Sequence, residues 1–295
     1  MLTRRDFLGK TIQGVAAGTA LGATRLQAAE KPAWTKPIGL EMYTVRDLFS
    51  KDPAGTLKKV AEAGYGEVEV AGFLSPNTPP ETIKGYLNDA NLTAPSAYFG
   101  MPKTADDWKK YAGEARTMGL KYMVTGNTDR IDADGWRRLA ILFADCGKMS
   151  ADVGTTFCYH NHIREFEELG TTTGYEILLT RCDPNVVKME MDVFWMVYGG
   201  QDPLTYFQRY PGRYPLLHIK DIKKGVAGSK TEFPSDKGPN PFAPVGQGRI
   251  NWKQIFAHAG QAGAEHIFVE QDRCDVPPLE AIKTSAEYLK NLRLS

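Results

Sequence analysis

The chain has 295 residues, with 36 Lys and Arg against 35 Asp and Glu, 42% hydrophobic residues and 24% charged residues. This composition is that of an ordinary globular protein, and it excludes a disordered chain, a collagen-like chain and a polytopic membrane protein. The formal net charge of +1 shows no excess of basic residues that would indicate nucleic-acid binding. Four Cys at unrelated spacings predict buried thiols rather than a disulfide framework.

The first predicted element is an export signal over residues 1–28. Arg4 and Arg5 form a twin-arginine pair, followed by a weakly apolar stretch that is too short and too polar to span a bilayer. Small residues that could form a cleavage site come next. The arginine pair, the apolar stretch and the small residues thus occur in the order of an export signal, which a basic disordered N-terminus would not explain. We therefore expect a cleaved twin-arginine signal, a mature domain over 29–295, and a periplasmic protein without a stable membrane span.

Short apolar strands alternate with amphipathic helices through the rest of the chain. The predicted strands are 38–43, 67–70, 92–97, 122–125, 155–159, 186–191, 216–219 and 266–269. The predicted helices are 53–63, 79–90, 106–118, 134–153, 173–181, 203–210, 252–262 and 278–292. Asp134 and Asn251 are the expected N-caps of two helices. A βα unit repeated eight times predicts a single (β/α)8 TIM barrel, and the long loop at 221–249 is expected to be functional.

Polar side chains gather where the predicted strands end, and in such barrels the catalytic site lies at those ends. They are Glu69, His160, Asn161, His162, Glu190, Asp192, His218, Lys220, Glu270 and Asp272. A single His at a strand end is usually a hydrogen-bonding residue, and a single Asp is usually a helix cap. Imidazole and carboxylate groups on four consecutive strands, however, form the kind of ligand set that a divalent cation binds. Together they predict a metal site.

Seven segments in chain order resemble the sugar phosphate isomerase/epimerase superfamily, the xylose isomerase-like TIM barrels. These segments are 39–47, 64–73, 159–166, 189–195, 217–221, 245–252 and 268–272. Together with the export signal, the resemblance points to an exported branch of that superfamily. It implies a divalent metal, with Mn²⁺ as the first expectation and Co²⁺, Mg²⁺ or Zn²⁺ as alternatives. The implied metal ligands are His160, Asp192, His218 and Glu270.

The fifth strand departs from the family pattern. The ketose epimerases of the superfamily have Glu where this chain has His160, and His162 faces the same way and competes as the ligand. Those epimerases share proton transfer between two metal-bound glutamates, of which only Glu270 remains here. The resemblance therefore implies one base, Glu270, with His162 or Lys220 among the candidates for the acid. Such a site suits isomerisation or epimerisation beside a carbonyl, or β-elimination from a keto-sugar or a 3-keto-glycoside.

The expected partner is a small-molecule carbohydrate, and export favours one without phosphate. Residues expected to contact the substrate are Glu69, Tyr43, Glu165, Trp195 and Arg249. The Gly-Gln-Gly run at 246–248 lacks the Lys and Ser or Thr of a phosphate loop and is expected to shape a turn. A homo-oligomer is possible, and no nucleic-acid partner is expected.

Two other functions compete with a metal-dependent enzyme of this type. A non-catalytic periplasmic sugar-binding barrel with a structural metal would bind sugar tightly without turnover. A phosphodiesterase of the endonuclease type, on a related barrel, would need a cluster of several zinc ions. The chain has five His, and two of them, His258 and His266, lie away from the strand ends, which argues against the phosphodiesterase.

Overall fold

A computed structural model describes residues 30–71 and 78–294, so the predicted export signal at 1–28 lies outside the described residues. Within them, eight parallel strands form a closed barrel in chain order, with the last strand pairing with the first. The strands are β1 Gly39–Glu41, β2 Glu67–Ala71, β3 Thr93–Tyr98, β4 Tyr122–Gly126, β5 Thr156–His160, β6 Val187–Asp192, β7 Leu216–Ile219 and β8 His266–Val269. The predicted single (β/α)8 barrel is confirmed.

Helices surround the barrel and bury its outer face. The main ones are Pro53–Glu62, Pro80–Asp89, Ala105–Met118, Ala133–Asp152, Gly174–Arg181, Pro203–Arg209, Trp252–Ala257, Ala259–Ala262 and Pro278–Asn291. Short helices at strand ends are Met42–Val45, Arg46–Phe49, Arg164–Phe166 and Val193–Tyr198. Across the described part of the chain, no helix is long and apolar enough to cross a bilayer.

In the described part of the chain, three short antiparallel ladders lie outside the barrel. They pair Lys31–Pro32 with Arg293–Leu294, Glu168–Leu169 with Thr172–Thr173, and Asp221–Ile222 with Phe242–Ala243. The first of these joins the two ends of the described chain, and the last closes the base of the long loop after β7. Three of the four Cys are buried and none is in a disulfide, as the sequence predicts.

Two details of the predicted helices are wrong. The N-cap of the helix Ala133–Asp152 is Asp132, whose side chain accepts the Gly135 N–H at 2.7 Å. Asp134 instead lies in the first turn, where it pairs with Arg137. Its negative charge also interacts favourably with the positive end of the helix dipole. The helix predicted at 252–262 is divided at His258, which has non-helical backbone angles of φ −109° and ψ 3°.

Of the helices in the described residues, the four short ones at strand ends were missed by the sequence analysis, and one of them bears directly on the site. Val193–Tyr198 directly follows β6, and Asp192 caps it by accepting the Trp195 N–H at 2.9 Å. This helix is almost entirely buried, so it lacks the polar face that gives a surface helix its periodic pattern. Its cap matters for the site, because the same carboxylate ends β6 inside the barrel.

The loop at 221–249 is anchored by one buried carboxylate, that of Asp221. It accepts five hydrogen bonds of 2.8–3.1 Å, from the N–H groups of Ile222, Gly246, Gly248 and Ile250 and the indole of Trp252. A Cβ on Gly248 would lie 2.1 Å from Asp221 Oδ1, so this close approach requires glycine. The run at 246–248 is therefore a turn wrapped around a carboxylate, in agreement with the expected turn.

We expect Asp221→Asn to lower the free energy of unfolding by at least about 2 kcal/mol, measured by urea denaturation. An amide has only one oxygen, so in either orientation its NH₂ group faces N–H donors that the carboxylate now satisfies. Asp132→Asn is the matched control, because Asn caps a helix as well as Asp does. Equal losses in the two variants would contradict the anchoring role of Asp221.

Candidate functional site

A cavity of about 1030 Å³ opens at the carboxyl ends of the barrel strands. Eight of the residues singled out from the sequence line it, namely Tyr43, His160, His162, Trp195, His218, Lys220, Glu270 and Asp272. Asp192 lies directly beneath this wall and is fully buried. The barrel thus brings most of the predicted residues together, because parallel strands place their carboxyl ends at one rim.

The four expected ligands form one connected cluster, with His218 in contact with both carboxylates. Asp192 Oδ2 lies 3.6 Å from His160 Nε2 and 3.9 Å from His218 Nδ1. Glu270 Oε2 lies 2.9 Å from the same His218 Nδ1. Strand register explains this, since Asp192 on β6 pairs with His218 on β7 and the next strand carries Glu270 just beyond its end. Asn161 fixes the Asp192 backbone by exchanging two hydrogen bonds with it, at 3.1 and 3.3 Å.

His160 is better placed than His162 to join this cluster. His160 ends β5, is 2% exposed, and contacts the carboxylates of Glu190 and Asp192. His162 lies beyond the strand end, and its ring packs against Trp195 and Phe233 with centroids 5.6 and 5.9 Å away. Within the described residues, His162 makes no ion pair. Burial lowers its pKa to about 3, so this imidazole is neutral near pH 7.

Carboxylates outnumber cations in this part of the barrel. The buried or partly buried acids are Glu41, Glu69, Glu190, Asp192, Glu270 and Asp272. Burial, together with the charge of Glu69, raises the pKa values of Glu41 and Glu190 well above the usual range. Glu41 Oε2 and Glu190 Oε1 are buried without a hydrogen-bond partner among the described residues. Excess buried carboxylate next to imidazole is chemistry that fits a divalent cation.

Among the residues that the structure describes, three overlapping groups of side chains have ligand atoms close enough to hold a metal ion. They are His160 with Glu190 and His218, Glu41 with Glu69 and His218, and Asp192 with His218 and Glu270. His218 belongs to all three groups. Burial alone would lower the His218 pKa, but the surrounding carboxylates of Glu190, Glu270 and Glu69 raise it well above its usual value.

Lys220 is held by three carboxylates at the edge of this cluster. Its Nζ lies 3.1 Å from Asp192 Oδ2, 2.8 Å from Glu270 Oε2 and 3.0 Å from Asp272 Oδ1. These charges overcome burial and raise the Lys220 pKa, so the ammonium keeps its proton. In return, Lys220 and His218 hold the pKa of Glu270 below the usual range despite its burial. The site therefore presents an ionised carboxylate beside a protonated amine.

Three of the expected substrate contacts lie outside the cavity wall. Glu69 is fully buried below His218, with its Oε2 2.6 Å from His218 Nε2, so it faces the histidine rather than the cavity. Glu165 is also fully buried and accepts a hydrogen bond from Tyr159 at 2.7 Å. Arg249 is exposed and uses its backbone N–H to bond Ile222 O, because the Asp221 turn directs this segment away from the rim.

Several cavity residues were not selected from the sequence as site residues. Glu41 could have been found by strand alternation, since it ends β1 and lines the cavity. Phe233 could not, because it comes from the interior of the long loop after β7. Its ring lies under the Arg164 guanidinium, 5.1 Å from the ring centroid, and against Trp195. The loop thus contributes an apolar wall to the cavity.

Comparison with known proteins agrees with this architecture. Residues 57–292 match the family of xylose isomerase-like TIM barrels. An inosose dehydratase of Lacticaseibacillus casei is 27% identical over 257 residues, which cover 77% of this chain and 85% of that protein. The crystal structure of a sugar phosphate isomerase/epimerase from Parabacteroides distasonis has a TM-score of 0.74 and 26% identity, covering 88% of this chain and 99% of that one.

A more distant structure shares the fold alone. The IOLI protein, solved with a bound zinc atom, superposes with a TM-score of 0.67 at 15% identity, covering 85% of this chain and 96% of that chain. The superfamily inferred from the seven sequence segments is confirmed, and the expectation of an isomerase, epimerase or lyase agrees with the relatives. The exported branch stays a prediction. The chain belongs to the xylose isomerase-like TIM barrel family.

Proposed function

We propose that this protein is a divalent-metal-dependent enzyme that removes a proton from the carbon beside a carbonyl of an unphosphorylated carbohydrate. The observation that carries the proposal is the clustering of His160, Asp192, His218 and Glu270 beside the protonated Lys220. An acid, a base and a candidate metal site thus meet at the floor of a cavity large enough for a sugar.

The metal would be held by His160, Asp192, His218 and Glu270. Two imidazoles and two carboxylates suit Mn²⁺, and they also suit Zn²⁺ or Co²⁺. Bound there, the ion would supply Lewis-acid polarisation of the substrate carbonyl. Asp192 Oδ2, a buried oxygen without a hydrogen-bond partner among the described residues, supports a cation at this position.

Glu270 is the proposed base and Lys220 the proposed acid. Glu270 is ionised and accepts the proton from the α-carbon, and the electron pair of that C–H bond moves toward the carbonyl. In an elimination, that electron pair then forms a double bond between the α- and β-carbons as the bond from the β-carbon to oxygen breaks, and the leaving oxygen takes the Lys220 proton. In an isomerisation or epimerisation, a proton is instead returned to carbon. His162 is neutral and is suited to hydrogen bonding with a substrate hydroxyl rather than to donating a proton.

The relatives and the cavity favour elimination among these outcomes. The curated relatives that match most of the chain are inosose dehydratases, and a dehydration is an elimination. One ionised glutamate beside one ammonium also suits a reaction in which base and acid act on different atoms. The proposed export signal at 1–28 would place the enzyme in the periplasm and supports a substrate without phosphate.

The test is turnover with the metal-loaded protein. Unphosphorylated keto-sugars and 3-keto-glycosides are incubated with protein reconstituted with Mn²⁺, and products are identified by NMR and mass spectrometry. We expect turnover that disappears when a chelator strips the metal and returns when Mn²⁺ is restored. Tight sugar binding without any turnover would contradict the proposal and favour a non-catalytic sugar-binding barrel with a structural metal.

A further inference from the structure

The two candidate histidine ligands each turn one nitrogen toward the proposed metal position and the other toward a buried glutamate. His160 Nε2 faces Asp192, while its Nδ1 lies 2.9 Å from Glu190 Oε2. His218 Nδ1 faces Glu270, while its Nε2 lies 2.6 Å from Glu69 Oε2. Both histidines therefore have the same arrangement, with one ring nitrogen facing the proposed metal ligands and the other facing a buried glutamate.

The two glutamates lie behind the histidines. Glu69 and Glu190 are fully buried, and neither lines the cavity. Glu190 is the direct cross-strand neighbour of His160 in the pairing of β5 with β6. Glu69 is fixed from its other side by a hydrogen bond from the Ser96 hydroxyl. Neither carboxylate has access to a substrate in the cavity, so a direct role in the chemistry is not open to them.

We infer that Glu69 and Glu190 are positioning residues that set the tautomer and orientation of His218 and His160. Each carboxylate accepts the N–H of one ring nitrogen, so that the other nitrogen, on the side of Asp192 and Glu270, would offer its lone pair to a bound metal. Carboxylates of this kind raise the basicity of an imidazole ligand and hold its ring in place. The inference rests on the proposed metal site and adds two residues to it.

Glu190 also links the two histidines. Its Oε2 lies 2.9 Å from His160 Nδ1 and 3.3 Å from His218 Nε2, so one carboxylate oxygen contacts both rings. A carboxylate in place of His160 would face Glu190 with like charge in a buried site. We therefore expect the two positions to be coupled in this chain, so that an acid introduced at residue 160 is better tolerated when residue 190 is neutral.

The first experiment measures Mn²⁺ binding alone, by calorimetric titration of purified full-length protein. We expect Glu69→Gln and Glu190→Gln to weaken Mn²⁺ affinity by about 10–100-fold while one ion per chain still binds. Glu67→Gln is the matched control, because Glu67 lies on the same strand as Glu69 and also bonds a histidine, His266 at 2.8 Å, but at the opposite end of the barrel. Its affinity should stay within about twofold of the unaltered protein.

The second experiment tests the coupling of residues 160 and 190. His160→Glu should lose most of its Mn²⁺ affinity, and adding Glu190→Gln to it should recover about tenfold or more, because the like-charge contact is removed. Circular dichroism of the metal-free proteins checks that each variant is folded.

The outcomes separate this inference from the proposed function. Unchanged affinity in Glu69→Gln and Glu190→Gln would overturn the positioning role while the metal site stands. Complete loss of binding in both would also overturn it, by making the glutamates direct ligands. A further loss of affinity in the double variant, instead of recovery, would refute the coupling. If the unaltered protein bound no Mn²⁺, both the inference and the proposed function would fall.

Discussion

Glu270→Gln is expected to lower the rate of α-proton removal by about 10²–10⁴-fold, because the amide cannot accept the proton. Glutamine has nearly the same shape, so the variant should fold, and its unfolding midpoint is checked alongside. Substrate turnover at saturating Mn²⁺ is the measurement, which separates loss of the base from weaker metal binding. Glu270 is suited to this role because Lys220, 2.8 Å away, keeps it ionised inside the barrel.

The matched control for this variant is Glu67→Gln, a buried glutamate at the amino end of β2 that faces His266 instead of the cavity. It should leave turnover close to that of the unaltered protein. A Glu270→Gln enzyme that kept full turnover with bound Mn²⁺ would show that another group is the base.

Lys220→Met is expected to destabilise the metal-free protein by about 3–5 kcal/mol, because removing one member of a buried ion cluster leaves its partners uncompensated. The side chains left without their cation are Asp192, Glu270 and Asp272, all of which lie within 3.1 Å of Nζ. Urea denaturation in the presence of a chelator measures the change. Turnover should also fall, since the variant lacks the proposed acid.

Lys223→Met is the control for that loss of stability. Lys223 follows closely in the chain and pairs with Asp275, but the Asp275 side chain is 59% exposed. Such a pair contributes no more than about 1 kcal/mol. Equal losses in Lys220→Met and Lys223→Met would contradict the view that the buried carboxylates depend on Lys220.

The barrel was predictable from the sequence because each βα unit carries its own local signals. β7 and β8 have the predicted bounds, since their short apolar runs lie between clear breaks in the chain. The helix Val193–Tyr198 was missed because burial on nearly every side removes the periodic pattern that marks a surface helix. Local pattern therefore identified elements with one polar face and failed where an element has none.

Only the side chains proposed to contact the metal were predictable from the sequence, and the role of the residues that support them was not. Alternation along strands selected His160, Asp192 and His218, but it could not show that Glu69 lies behind a histidine instead of beside a substrate. That distinction depends on the closure of the barrel, which brings β2 across to β7. Likewise, Phe233 reaches the cavity through the path of a long loop, and no local pattern specifies such a path.

Solvent deuterium incorporation is the most direct test of proton removal beside a carbonyl. A keto-sugar or 3-keto-glycoside that the enzyme turns over is incubated in D₂O with the Mn²⁺-loaded protein, and the α-position is followed by proton NMR. We expect the α-proton signal to disappear, or the product to carry deuterium, with the metal-loaded protein and not with the chelator-treated protein. Product that forms while the α-carbon keeps its original hydrogen would contradict the proposed chemistry.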